Sequence, residues 1–167
     1  MKLTIRSLEI TDTRALLTFA NDLIAEDTYL MLSGKKMTYA SEKKYVQDSL
    51  ARMKKKEKIH LVAIEGDRVV GSAEIRRGEK RKTHLGEVGI AILQSHRGQG
   101  LGKRLMEVLI AEGKRLGLRI LMLHCFENNT AALALYKKFG FVECGLLPEA
   151  LYYRDTFVGE VTLYKKL

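Results

Sequence analysis

Residues 94–103 read Gln94-Ser95-His96-Arg97-Gly98-Gln99-Gly100-Leu101-Gly102-Lys103, three alternate glycines set between two basic side chains. An apolar, strand-like run over 88–93 enters this stretch. A helical pattern of Leu101, Leu105, Val108, Leu109, Glu112 and Leu116 leaves it. A strand that turns through glycines into a helix calls for a mixed α/β or α+β domain. It also turns backbone N–H groups and the positive end of the helix dipole toward one point, an arrangement that holds a diphosphate. Two better-known phosphate loops are excluded. No Gly-Lys-Ser or Gly-Lys-Thr closes the turn, and its glycines are spaced by two after a hairpin pattern rather than a βαβ unit.

The rest of the chain supplies the elements around that turn. Residues 3–8 alternate as an opening strand. Thr11 or Asp12 can cap a first helix with Leu16, Phe19, Ala20, Leu23 and Ile24 on its apolar face. A second helix is expected over 41–56, with Tyr45, Leu50 and Met53 inward. The period then changes: 59–64 and 69–75 around Gly66-Asp67 read as a hairpin, and 85–93 as the strand entering the glycine turn. A strand over 119–125 and a short helix over 129–139, ended by Gly140, follow. Strands over 141–146 and 157–164 close the chain, with Pro148, the one proline, between them. No linker or repeat interrupts this order, so residues 1–167 are expected to form a single domain.

Composition narrows the function classes. The formal charge of +9 is concentrated over 52–58 and 76–82, where basic runs can attract anionic cofactors, acidic proteins or nucleic acid. Aromatics do not interleave with those runs, and zinc-finger or helix-turn-helix spacings are absent, so nucleic acid is the disfavoured partner. No metal-ligand spacing occurs, and no metal is expected. Cys125 and Cys144 both sit in apolar surroundings and read as buried, reduced thiols. No apolar h-region follows the opening Met-Lys-Leu-Thr-Ile-Arg, and no window approaches a membrane span, so a cytoplasmic location is expected.

The glycine turn resembles the acyl-CoA-binding motif of the Gcn5-related N-acetyltransferase (GNAT) superfamily, Arg/Gln-x-x-Gly-x-Gly/Ala, with Arg97, Gly100 and Gly102 at its fixed places. Downstream, the segment from Asn129 through Ala132, Leu135-Tyr136 and Gly140-Phe141 resembles the superfamily's second hallmark. The resemblance implies a central, mostly antiparallel twisted sheet flanked by helices, and acetyl-CoA as cosubstrate. It also implies that backbone groups of Arg97, Gly98, Gln99, Gly100, Leu101, Gly102 and Lys103 hold the CoA diphosphate. Ile90, Ala91 and Ile92 would pair with the pantetheine arm, where this strand splays from the one over 120–125. Asn129 would cap its helix and contact the cofactor arm.

The reaction so implied is direct attack of a primary amine on the acetyl thioester. An ammonium with a reference pKa near 10.4 must first lose a proton, and the departing thiolate must gain one. By resemblance Tyr136 is the proton donor; an ordinary packing tyrosine is the competing reading. Glu87, on the strand face that carries Gly89 and Ala91, is the first choice of base, against a solvent-facing strand glutamate. His84 and Glu74 are reserves, and a backbone N–H near 90–92 is the candidate oxyanion donor. Three regions are expected to select the acceptor: 21–39, 76–83 and 148–158. The C-terminal run resembles a broad prokaryotic group of protein, peptide or small-amine acetyltransferases, from which Gly159-Glu160 departs where Asp-Glu is usual. A protein or peptide amine is the favoured acceptor, with a polyamine or other small amine as alternative. A non-catalytic acyl-CoA-binding module is the reading from a different class, and a homodimer stays open.

Overall fold

The computed structural model describes residues 3–167. Its strands are β1 (Leu3–Ser7), β2 (Lys58–Glu65), β3 (Arg68–Arg77), β4 (Leu85–Ile92), β5 (Ile120–Phe126), β6 (Val142–Tyr153) and β7 (Thr156–Lys166). Its helices are α1 (Thr13–Glu26), α2 (Tyr39–Lys54), α3 (Leu101–Arg115) and α4 (Thr130–Lys138). The strands form one sheet in the order β1-β2-β3-β4-β5-β7-β6, antiparallel except for the β4–β5 pair. This is the mixed α/β architecture expected from the sequence.

Residue parity decides which side of the sheet each residue serves. On β3, a Cβ added at Gly71 would touch Leu101 and Leu105 of α3 at 3.3 Å, so odd-numbered β3 residues face α3. Even-numbered Glu74 meets Tyr45 of α2 instead. Helix α3 seats Leu101, Leu105, Met106 and Leu109 against Val62-flanking Leu61 and Ala63, Ala73, Ile75, Leu121 and Leu123, all buried. Each fully buried aliphatic side chain contributes roughly 1.5–3 kcal/mol, which fixes α3 firmly on the sheet. The helix stops at Gly117, whose φ of 75° suits glycine. There Leu118 N–H reaches back to Gly113 O at 3.0 Å.

The other face is unusually polar beneath its helices. Helix α2 starts at Tyr39, two residues earlier than its pattern predicts, because Thr38 and Ser41 cap it reciprocally. It turns Glu42, Val46 and Ser49 inward, whereas Tyr45 is 40% exposed. The reason is Lys58 on β2, whose buried ammonium meets Glu74 at 2.7 Å, Ser49 at 3.0 Å and the Tyr45 hydroxyl at 3.2 Å. Asp12 does not cap α1 as expected. Its carboxylate instead takes two nitrogens of Arg6, at 2.8 and 2.7 Å, and the Glu9 N–H at 2.8 Å.

Two further expectations are corrected. Cys125 is buried, but Cys144 is exposed, because it lies on the edge strand β6. Pro148 does not separate two strands. It lies within β6, where the register with β7 breaks between Leu147 and Leu151, and an edge strand at a bulge tolerates a residue with no N–H.

Candidate active site

Strands β4 and β5 pair over three rungs only: Leu85 with Ile120, Gly86 with Leu121 and Glu87 with Met122. Beyond that rung β4 continues with β3 as far as Ile92 opposite Gly71, while β5 continues with β7 as far as Phe126 opposite Glu160. The inner edges of both strands therefore part, and the β5-facing edge of Ile90, Ala91 and Ile92 has no strand beside it. An extended ligand with amide groups can pair with such an edge.

The slot leads to the glycine turn. Gly98 and Gly100 have φ of 73° and 82°, and nothing lies within 4 Å of a Cβ at either, so backbone conformation alone demands glycine there. Gly102 serves another purpose: a Cβ would press Leu135 at 3.2 Å and Ile92 at 3.4 Å, so glycine lets the start of α3 approach β4 and α4. The first helical bond runs from Arg104 N–H to Gly100 O. The amides of Leu101, Gly102 and Lys103 thus precede the helical ladder and can receive an anion. The Lys103 side chain is exposed and lies 3.8 Å from Glu107.

Two residues of the turn are engaged within the protein. The Arg97 guanidinium pairs with Glu26 at the end of α1, its Nε donates to Ile92 O at 2.8 Å, and its N–H donates to Gln94 O. Glu26 also accepts the Gln94 N–H at 2.8 Å. Arg97 therefore buckles the turn to α1 rather than extending toward a phosphate. Gln99 donates to Ser95 O at 2.7 Å. A cleft of about 640 Å³ runs along the α1 side of the turn, lined by Asp22, Glu26 and Arg68; its lining cation, Arg68, is already paired with Asp22, and Glu26 with Arg97.

Asn129 accepts the Ala132 N–H at 3.2 Å and caps α4. Helix α4 carries Tyr136 onto the α3 side of the sheet, where it packs with Phe141. Burial, with Cys125 adding to it, pushes the Tyr136 phenol well above its ordinary range, so it stays protonated. Burial also raises the Cys125 thiol to about 11, which leaves it an inert packing group.

Glu87 lies on the opposite face, with Gly89 and Ala91. One of its oxygens is held by Arg76 at 2.7 Å, and Arg76 also stands 3.5 Å from Glu74. Burial alone would raise the Glu74 carboxyl, but the Lys58 ammonium outweighs it and holds Glu74 below the usual carboxylate range. Glu74 lies under Gly89: a Cβ there would meet its Cγ at 3.5 Å. His84 is not brought to this group. It occupies the exposed turn before β4, at the far end of the strand from the slot, where its carbonyl accepts the Arg119 and Ile120 N–H groups.

The three expected acceptor regions divide in the same way. Segments 21–39 and 148–158 meet beyond the end of β5, where Tyr29 packs edge-to-face with Phe126 and tilted against Tyr153 at centroid distances of 5.7 and 4.9 Å. Region 76–83 is the end of β3 and the connection to β4, at the opposite end of the sheet, and its Arg76 reaches Glu87. Gly159 also gains a reason. Its N–H donates to Glu127 at 2.7 Å, and a Cβ there would lie 2.6 Å from the same carboxylate, so any side chain at 159 requires Glu127 to shift.

A cluster that the sequence reading did not single out lies on the Glu87 face. His124 on β5 meets Thr162 and Glu160 on β7, with Nδ1 3.1 Å from Thr162 Oγ1 and 3.7 Å from Glu160 Oε2. Strand parity could have placed all three on one face, but only the β5–β7 register joins them. Among the described residues, no group of three His, Cys, Asp or Glu side chains is set to hold a metal, and no helix is long and apolar enough to cross a membrane.

Comparison with known proteins matches residues 22–141 to the model of the acetyltransferase (GNAT) family. An acetyltransferase of the GNAT family from Streptococcus pneumoniae superposes with a TM-score of 0.90 at 27% identity, over 99% of this chain and 100% of that one. A ribosomal-protein-alanine N-acetyltransferase from Brucella melitensis superposes with a TM-score of 0.85 at 25% identity, over 98% and 99%. A mycothiol acetyltransferase from Geodermatophilus obscurus is 39% identical over 84 residues, which is 48% of this chain and 27% of that protein. The chain spans about half or less of the length of the curated relatives it matches.

Proposed function

Because the chain belongs to the acetyltransferase (GNAT) family, we propose that it transfers the acetyl group of acetyl-CoA to a primary amine by direct attack. The observation that carries this reading is the parting of β4 from β5 above the Glu87–Met122 rung, opening toward the free amides at the start of α3. In this reading those amides hold the diphosphate. The free edge over Ile90, Ala91 and Ile92 pairs with the pantetheine arm and turns an N–H toward the thioester carbonyl. Tyr136 donates its phenolic proton to the departing sulfur; a phenol kept protonated by burial suits that task. Glu87, on the opposite face of β4 from Tyr136, is the carboxylate that draws the acceptor ammonium to the slot.

The favoured acceptor is a protein or peptide amine. Two features support it: Met31 of segment 21–39 and Tyr152 and Phe157 of segment 148–158 are exposed, and so are Val142 and Leu147 of β6. Exposed apolar side chains in the acceptor segments suit a chain-like acceptor better than a small polycation, which calls for an enclosed acidic pocket. The test is incubation of the purified protein with acetyl-CoA and a panel of peptides, proteins and polyamines, following free CoA and acceptor mass. One acetyl gained on a peptide lysine or α-amine is the expected result. Acetylation of polyamines alone moves the acceptor class, and acetyl-CoA binding without acceptor-dependent CoA release turns the reading toward a binding module.

A further inference from the structure

We infer that His124 is the group that takes the proton from the acceptor amine, oriented by Glu160 and Thr162; this role rests on the acetyl-transfer reading above. The three side chains meet because His124 stands opposite Thr162 in the β5–β7 ladder, and Glu160 follows two residues away on the same face. Both oxygens approach one nitrogen, Nδ1, at 3.1 and 3.7 Å. A proton on Nδ1 then faces the oxygens, and Nε2 keeps its lone pair for a substrate. A carboxylate behind one imidazole nitrogen also stabilises the imidazolium that forms when the other nitrogen gains a proton. With 36% of its side chain exposed, His124 is open to a ligand in a way that the buried His60 is not.

Position supports the same role. The last β4–β5 rung is Glu87–Met122, and paired residues share a face. His124 lies two residues further along β5, where the strands have parted. The corresponding place on β4 is Gly89, which has no side chain to fill the gap. The turn of free amides and Tyr136 lie on the α3 side. An amine arriving from the opposite face therefore meets Glu87 on one lip and His124 on the other. Of the two, Glu87 already spends one oxygen on Arg76 at 2.7 Å, whereas Nε2 of His124 carries no such partner among the described residues. The other titratable groups on this face are Glu160, Tyr164 and Lys166 of β7, Glu87 of β4, Glu74 and Arg76 of β3, Lys58 and His60 of β2, and Tyr45 of α2 above Glu74; from β6, Val142, Gly145 and Leu147 stand opposite β7 in register and add no charge.

The step balances without a further reactant. An N–H bond of the ammonium breaks toward His124 Nε2, and the free amine attacks the thioester carbon. The C–S bond breaks, the sulfur takes the proton of the Tyr136 phenol, and the attacking nitrogen gives its second proton to water as the amide forms. Tyr136 then regains a proton from solvent and His124 releases its own, for a net release of one proton.

The experiment is steady-state kinetics across pH on the wild type and on His124→Gln, Glu160→Gln and Thr162→Val, with acetyl-CoA and the best acceptor of the panel. His124→Gln is expected to lower kcat about 100-fold, leave the KM for acetyl-CoA unchanged, and abolish the fall in rate on the acid side of the profile. Glu160→Gln and Thr162→Val should lower kcat by smaller factors, again without changing that KM, and give the readout should His124→Gln not fold. Wild-type kcat and an unchanged acid limb in His124→Gln, or in both β7 variants if that one is unfolded, overturn the assignment. A wild type that binds acetyl-CoA yet acetylates nothing overturns the acetyl-transfer reading itself, and this role with it.

Discussion

Single side chains near this sheet do different work according to how burial treats their charge. Tyr136 is kept neutral by burial and Cys125 is kept unreactive by it. Replacing Tyr136 by Phe removes only the donor, so kcat should fall by a factor of about 100 or more, with little change in the KM for acetyl-CoA. Rapid-quench measurement of the transfer step checks this. His60 makes a second prediction, about stability. It is 1% exposed, donates to or accepts from Ser72 at 2.9 Å, and has an Nδ1 with no partner among the described residues. Burial, reinforced by the Lys58 ammonium, lowers its pKa to about 4. The unfolded chain takes up the proton first as pH falls below the ordinary histidine value near 6.5. The stabilisation is therefore complete above about pH 6.5 and is lost progressively down to about pH 4, on the order of 3 kcal/mol in all. Urea unfolding across this range should show that decline in the wild type and a shallower one in His60→Gln.

At the scale of elements, the strand–turn–helix unit from β4 to α3 depends on backbone conformation and on one latch. Alanine at Gly98 or Gly100 meets no neighbour, so its cost is the left-handed backbone alone, about 1–2 kcal/mol at each site. Thermal unfolding should register that loss, and calorimetry should show weaker CoA binding. The latch is Glu26, which holds both Arg97 and the Gln94 N–H. Glu26→Ala should raise the KM for acetyl-CoA several-fold while changing kcat little, because the amides lose their arrangement and the reacting groups do not. Unchanged kinetics would mean that the turn keeps its shape without α1. Helix α4 has a local cap in Asn129, but at nine residues it is too short to persist alone and depends on packing Ala132, Leu133 and Tyr136 against the core.

For the whole molecule, the net charge of +9 surrounds a slot that must admit a polyanionic cosubstrate. Raising ionic strength should therefore raise the KM for acetyl-CoA, as the Debye length contracts from about 10 Å at 0.1 M to about 3 Å at 1 M. A salt-independent KM would confine recognition to the amides of the turn. What the amino-acid sequence determined by itself is local: the apolar spacing of α1 and α3, the Asn129 cap, and the positive-φ glycines between β4 and α3. Each depends on residues a few positions apart, through periodicity or a backbone angle that glycine adopts at least cost. Tertiary structure alone decided the rest. Arg97 finds Glu26 across 71 residues of chain and His124 finds Thr162 across 38. Cys144 is exposed because β6 became the edge, and the slot exists because β4 and β5 keep different partners beyond Met122. These features follow from strand order and register, and pairing between distant segments leaves no periodic trace in either segment alone.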